Sequence, residues 1–151
     1  MIELNWVVKH FDNLTTSELY EVIRLRNEVF VVEQNCVFQD ADNKDQTCFH
    51  LLGYSNSNLA AYARLVPEGV TYSGKISIGR VITSPAYRNV GAGKALMSES
   101  ILHCYKLFGE QAIKIGAQLY LKKFYESFGF KQTSEPYDED GILHIEMIKE
   151  Y

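Results

Sequence analysis

The residues best suited to chemistry lie in a glycine-containing turn between a strand-like and a helix-like segment. Pro85 ends the strand, and it is followed by Arg88, Gly91, Gly93 and Lys94. The first N–H groups of a helix have no partners within it, and the helix dipole adds partial positive charge there. Glycine lets an anion reach those N–H groups, and Arg88 and Lys94 add whole charges. The turn therefore predicts a phosphate-binding site.

Two common phosphate-binding loops do not match this turn. A Walker A loop needs Ser or Thr after its lysine, but Ala95 follows Lys94. A dinucleotide fingerprint of the G-x-G-x-x-G type needs a third glycine, but Leu96 stands there. Nucleotide hydrolysis and hydride transfer are therefore disfavoured. On the residues alone, a plain tight connection between strand and helix stays an open alternative.

A second element downstream makes the turn more specific. Tyr125 lies four residues before a Gly-Phe pair, near the end of a helix-like segment. Arg-x-x-Gly-x-Gly after a strand, followed by Tyr-x-x-x-Gly-Phe, resembles the acetyl-CoA binding region of the GNAT superfamily of N-acetyltransferases. Further segments resemble its ElaA-like group, and they are residues 25–36 (LRNEVFVVEQNC), Asp40, Asp42, Asp45, His50-Leu51, Gly79-Arg80-Val81 and residues 137–145.

The resemblance covers the whole order of elements and implies a fold and an activity. The implied fold is α+β, with a central mixed, mostly antiparallel sheet of about seven strands, splayed in the middle and flanked by three to four helices. Residues 1–151 would form one acetyltransferase domain. The implied activity is acetyl transfer from acetyl-CoA to a primary amine of a small molecule or peptide. Two alternatives remain, namely a non-catalytic acyl-CoA binding module and an acyl-homoserine lactone synthase-like acyltransferase.

The resemblance also assigns roles to individual positions. Tyr125 would protonate the departing thiolate, and the backbone N–H of Val81 would polarise the thioester carbonyl. The backbone of Val81, Ile82 and Thr83 would pair with the pantetheine arm. The diphosphate would lie on the run Arg88, Asn89, Val90, Gly91, Ala92, Gly93 and Lys94. Gln118 stands where many relatives carry an Asn that contacts the cofactor, and Phe124 belongs to the same region.

The proton acceptor and the substrate pocket are less determined. Many superfamily members carry a glutamate on the strand that here spans residues 76–81, which contains none. The candidate bases are Glu33, His50 and His144, and the candidate pocket residues are Arg26, Phe30 and Arg80. Arg26 lies amid the apolar stripe of the first helix, so it must pair with Glu33 or an aspartate, or face a polar pocket.

Periodicity predicts the elements that carry these residues. The capping-box pair Thr15 and Glu18 starts a helix that runs to about Glu33, and a loop covers residues 34–48. Gly79 within a strand suggests a bulge. The other predicted elements are strands at 2–9, 49–54, 59–66, 75–83, 112–118 and 141–149 and helices at 91–108 and 119–128.

Composition narrows the possible partners. The 151 residues carry a formal net charge of -4 and are 46% hydrophobic, which disfavours nucleic acid as a partner and fits a single packed core. No apolar run is long enough for a membrane span, so we expect a cytoplasmic protein, monomeric or homodimeric. A metal site from Cys36, Cys48 and His50 is disfavoured by their spacing. The acidic loops at 40–45 and 138–140 either attract a cationic amine or are simply solvated.

Overall fold

The computed structural model describes residues 2–151, and within them the chain forms one eight-stranded sheet and three α-helices. The helices are α1 (Thr16–Arg26), α2 (Ala92–Phe108) and α3 (Lys122–Glu126). The strands are β1 (Asn5–His10), β2 (Phe49–Ser55), β3 (Asn58–Val66), β4 (Ile76–Thr83), β5 (Ile113–Gln118), β6 (Phe130–Gln132), β7 (Tyr137–Glu139) and β8 (Ile142–Lys149).

The sheet has the order β1-β2-β3-β4-β5-β8-β6, and β7 pairs with β8. All of these pairs are antiparallel except β4 with β5, which runs parallel. The parallel pair joins only Ile76 to Ile113 and Ser77 to Lys114, after which the strands diverge. The mixed, mostly antiparallel sheet with splayed middle strands is therefore confirmed. The short strands β6 and β7 were not predicted.

A β-bulge interrupts β4 beside β3. Tyr62 pairs with Ile82 and Arg64 with Gly79, so Ala63 faces both Arg80 and Val81. Arg80 carries the strain, because its φ of +52° lies in the left-handed region. The bulge suggested by Gly79 is present, although the left-handed residue is the arginine after it.

The first helix starts as predicted and then widens. Thr15 Oγ1 accepts from the N–H of Glu18 at 3.1 Å, and a Glu18 carboxylate oxygen accepts from the N–H of Thr15 at 2.8 Å. After α1, Asn27–Glu33 is π-helical, and the N–H of Gln34 reaches back five residues to Val29. The predicted helix therefore does extend to Glu33, but with a wider last part, a feature frequent at functional sites.

Helices cover both faces of the sheet. Along β3, Ala61, Ala63 and Leu65 face the core beneath α2, while Tyr62 packs with Val22 and Leu25 of α1. This alternation follows from the period of two along a strand. Arg64 consequently shares the face of Tyr62, on the side of α1. Among the described residues, no helix has the length and apolar character needed to cross a bilayer.

Candidate active site

A cavity of about 640 Å³ opens where β4 and β5 diverge. Seven parts of the chain form its walls: the π-helical segment, the loop after it, β4, the glycine turn, β5, α3 with the turn before it, and the β7–β8 hairpin. The wall residues used below are Phe30, Glu33, Gln34, Gly79, Arg80, Val81, Ile82, Thr83, Arg88, Asn89, Gly116, Gln118, Tyr125, Glu139, Asp140 and His144. The splayed strands thus create a site whose walls come from distant parts of the sequence.

The bulge places the backbone of β4 along this cavity. Val81, Ile82 and Thr83 all line it. A bulge leaves one residue without a ladder partner, so its backbone groups are available to a ligand. A Cβ at Gly79 would meet no heavy atom within 4 Å, which shows open space on this wall. The wall can therefore accept an extended chain that hydrogen-bonds to the strand.

The glycine turn lies at one end of the cavity. Asn89 and Gly91 have φ of +63° and +85°, and no side chain caps α2. The N–H groups of the first turn of α2 therefore keep their capacity to bind an anion. A Cβ at Gly93 would lie 3.9 Å from Thr83 and 4.0 Å from Phe124, so the turn packs against the end of β4 and the middle of α3.

The predicted cofactor residues divide into three groups. Val81, Ile82, Thr83, Arg88, Asn89 and Gln118 line the main cavity. Val90 and Gly91, with Asn89, line a second, shallow recess that adjoins it. Ala92, Gly93, Lys94 and Phe124 line neither of these spaces; Ala92 is buried and Lys94 is exposed.

Tyr125 lines the cavity from α3 and is only 7% exposed. Its ring packs edge-on against Phe124 and Phe130, with centroids 5.2 and 6.1 Å away. Burial, with a smaller contribution from Tyr120, raises the pKa of Tyr125 to about 12. The phenol therefore stays protonated at neutral pH and is a hydrogen-bond donor.

His144 lies on β8, and one of its ring nitrogens is fixed as a donor. Its Nδ1 lies 2.8 Å from the carbonyl oxygen of Ile142, which can only accept, so Nδ1 carries a proton and Nε2 is the ring nitrogen that remains for proton exchange. Glu139 places a carboxylate oxygen 3.3 Å from Nε2. Glu139 is a site residue that the sequence did not single out, because only the pairing of β7 with β8 brings it to His144.

The other candidate bases are differently placed. Glu33 lines the cavity, but hydrogen bonds from Arg88 at 2.6 and 2.8 Å lower its pKa. His50 is fully buried away from the cavity, and burial lowers its pKa. Its Nε2 donates to the carbonyl of Asp45 at 3.0 Å, and its Nδ1 accepts from the hydroxyl of Tyr62 at 2.7 Å. The structure thus does not bring His50 to the site.

Arg26 does not reach the cavity either. It is fully buried, and its Nε and Nη1 lie 2.6 Å from Asp40 and 2.7 Å from Asp45. Arg26 therefore pairs with aspartates. It neither pairs with Glu33 nor faces a polar pocket. Of the three predicted pocket residues, Phe30 and Arg80 line the cavity and Arg26 supports the fold beneath it.

Asp40, Asp42 and Asp45 belong to a network of three arginines and three aspartates. Arg64 holds Asp42 through two bonds of 2.8 and 2.9 Å and Asp45 at 2.9 Å. Arg80 lies 2.7 Å from Asp40. Burial alone would raise the pKa of Asp42, but the hydrogen bonds and charge of Arg64 lower it well below its usual range. The expectation that this loop is solvated or attracts a cation is therefore wrong, since arginines neutralise it.

The network has a direct connection to the site. It joins α1, the loop of residues 34–48 and β3 to Arg80, the left-handed residue of the bulge. Because Arg80 is held by Asp40, the backbone that follows it is fixed in place along the cavity. Among residues 2–151, no group of three or more His, Cys, Asp or Glu side chains is arranged to hold a metal, and the three cysteines are free thiols.

Comparisons with known proteins agree with this geometry. Residues 16–151 match the model of the acetyltransferase (GNAT) domain. This chain belongs to the GNAT acetyltransferase family. Protein ElaA of Escherichia coli is 42% identical to this GNAT chain over 97% of each sequence. The crystal structure of E. coli ElaA superposes with a TM-score of 0.91 at 41% identity, covering 98% of this chain and all (100%) of that one.

Two further solved structures are similar to this GNAT protein. An acyl-CoA N-acyltransferase from Pseudomonas aeruginosa is 38% identical, with a TM-score of 0.92 and coverage of 97% and 99%. A CoA-dependent acyl-homoserine lactone synthase, BjaI, has a TM-score of 0.80 at 16% identity, covering 97% of this chain and 82% of that one, and so shares the fold alone. Membership of the ElaA-like group is thus confirmed.

Proposed function

We propose that this protein transfers an acetyl group from acetyl-CoA to a primary amine of a small molecule or peptide, by direct attack of the amine on the thioester. The observation that carries the proposal is the cavity itself, which is lined by both the bulged backbone of β4 and the buried phenol of Tyr125. The uncapped start of α2 beside it suits a diphosphate. The chain would act as one domain over residues 1–151, as a monomer or homodimer, without a nucleic-acid or membrane partner.

The residues present fit acetyl-CoA. The N–H groups of the glycine turn and Arg88 would hold the diphosphate, and residues 81–83 would pair with the pantetheine arm as an added strand. When bound, acetyl-CoA supplies an acyl group already activated as a thioester. The N–H of Val81 would donate to the carbonyl oxygen as negative charge develops on it, a role in which losing one donor in other enzymes raises the barrier by about 2.7–4 kcal/mol.

Tyr125 would stabilise the sulfur that departs. A thiol has a pKa of about 8.5, whereas the pKa of this phenol is about 12. Complete transfer of the phenol proton to a thiolate is therefore uphill. Tyr125 would act mainly as a hydrogen-bond donor that lowers the energy of the negative charge developing on sulfur. Once the thiolate has left, it would take up the proton that the amine nitrogen loses when the amide forms.

His144 is the base that the geometry favours. An alkylamine has a pKa of about 10.4, so it arrives as ammonium and must lose a proton before attack. With Nδ1 donating to Ile142, Nε2 of His144 is the nitrogen that would take this proton, and the carboxylate of Glu139, 3.3 Å away, would stabilise the imidazolium that forms. The missing strand glutamate is thus replaced by a histidine and glutamate from the β7–β8 hairpin.

An acetyl-transfer screen with mass detection tests the proposal. Polyamines, amino acids, aminoglycosides and lysine peptides are incubated with acetyl-CoA and the protein, with Tyr125→Phe as the matched variant. We expect one amine class to gain about 42 mass units, because an acetyl group replaces one hydrogen on nitrogen. With the variant this gain should be on the order of 10²-fold slower. Binding of acetyl-CoA without acetylation of any amine would favour the non-catalytic binding module instead.

A further inference from the structure

Arg88 and Glu33 form an ion pair in the wall of the cavity. Arg88 lies in the glycine turn, Glu33 ends the π-helical segment, and both line the cavity although they are 55 residues apart in sequence. Two parallel bonds of 2.6 and 2.8 Å join the guanidinium to the carboxylate. The residue assigned to the diphosphate is therefore already bound to a carboxylate of the chain.

We propose that Glu33 is an acceptor-binding carboxylate which Arg88 occupies until the diphosphate of the cofactor takes that arginine away. This inference rests on the proposed function and adds a coupling between its two substrates. The freed carboxylate binds the ammonium group of the incoming amine, and His144 then takes the proton. No bond to carbon is made or broken in the exchange, in which one ionic partner of Arg88 replaces another.

The strengths of the competing contacts favour this exchange. The side chains of Arg88 and Glu33 are 39% and 40% exposed, and an exposed pair typically contributes up to a factor of about five to an equilibrium constant. A diphosphate carries more negative charge than one carboxylate and also gains the N–H groups of the glycine turn. Arg88 therefore gains more from the diphosphate than from Glu33.

The other arginine in the cavity cannot make the same exchange. Arg80 is held by the buried Asp40 at 2.7 Å, and its Nη2 donates to the carbonyl of Asp40 at 2.9 Å. Nor can Glu139 take the part of Glu33, because it faces Nε2 of His144. Once Arg88 has moved to the diphosphate, Glu33 is a carboxylate in the cavity wall that has lost its partner, and an ammonium group is the chemical complement to it.

Two substitutions at Glu33 should strengthen the binding of CoA and weaken the binding of the amine. In Glu33→Gln and Glu33→Ala, CoA no longer competes with a carboxylate, so its dissociation constant by calorimetry should fall by up to about fivefold. The KM for the amine that wild-type protein acetylates fastest should rise, on the order of tenfold, the factor that corresponds to about 1.4 kcal/mol. A merely structural role for Glu33 would weaken both. Glu28→Gln is the matched control, since Glu28 lies on the same segment and pairs with Arg24 outside the cavity.

Pantetheine, which lacks the diphosphate, is the ligand of a second binding experiment. Its affinity should be the same for wild type and Glu33→Gln. Unchanged or weaker CoA binding in both Glu33 variants, or an equal gain for pantetheine, overturns the inference while leaving the proposed function intact. Failure of wild-type protein to bind CoA at all refutes the proposed function itself.

Discussion

Replacing Arg26 by methionine tests whether the buried charge network holds the fold together. The Arg26 side chain is 0% exposed and makes bonds of 2.6 Å to Asp40 and 2.7 Å to Asp45. Removing one partner of a buried pair costs about 3–5 kcal/mol, because the other charge is left buried. Asp40 keeps Arg80 and Asp45 keeps Arg64, so the lower end, about 3 kcal/mol, applies. Methionine retains much of the volume and thereby limits any cavity.

Urea unfolding followed by fluorescence of Trp6, the single tryptophan, measures this loss. With a slope of about 2 kcal/mol per molar urea, the midpoint should fall by about 1.5 M. Arg24→Met is the control, because that side chain is 65% exposed and lies 3.5 Å from Glu28; surface changes of this kind shift stability by less than about 0.5 kcal/mol. Equal midpoints for the two variants would refute the buried network as a source of stability.

The remaining predictions concern the site and the response to acid. Tyr125→Phe should lower kcat on the order of 10²-fold while calorimetry shows unchanged CoA affinity; a matching loss of affinity would mean a packing role only. Gly91→Asp should abolish CoA binding, whereas Gly74→Asp, which also has positive φ but lies in open space, should leave it intact. Because the folded pKa of Asp42 lies below its unfolded value of about 3.9, its contribution to stability is complete above about pH 5 and declines as the pH falls further. The urea midpoint should therefore drop between pH 5 and pH 3, and a constant midpoint would contradict the ion pairing.

Local signals predicted the parts of the site that depend on short stretches of chain. The capping box at Thr15 and the glycine turn at Gly91 depend on neighbours within a few residues, so sequence is sufficient for them. The bulge was predicted from Gly79, but the left-handed conformation falls on Arg80, because long-range bonds to Asp40 hold that side chain. Backbone strain that is offset by contacts between distant residues cannot be recognised from the neighbouring sequence.

Long-range pairing determined what the sequence could not resolve. Arg26 had several possible partners, and the loop of residues 34–48 had to fold over α1 before Asp40 and Asp45 could be selected. The short strand β7 has three residues, too few for a period-two signal, so the approach of Glu139 to His144 was not predictable. The resemblance to a family supplied the order of the elements, and the structure supplied the approach of Glu139 to His144, on which the proposed proton acceptor depends.

The stoichiometry of one turnover tests the central claim most directly. Protein, acetyl-CoA and the amine identified by the screen are mixed, and the free CoA thiol and the acetylated amine are quantified together over time. Acetyl transfer within the cavity predicts that the two products appear in equal amounts and that both slow together in Tyr125→Phe. Thiol released without acetylated amine, or no thiol released although acetyl-CoA is bound, would contradict it.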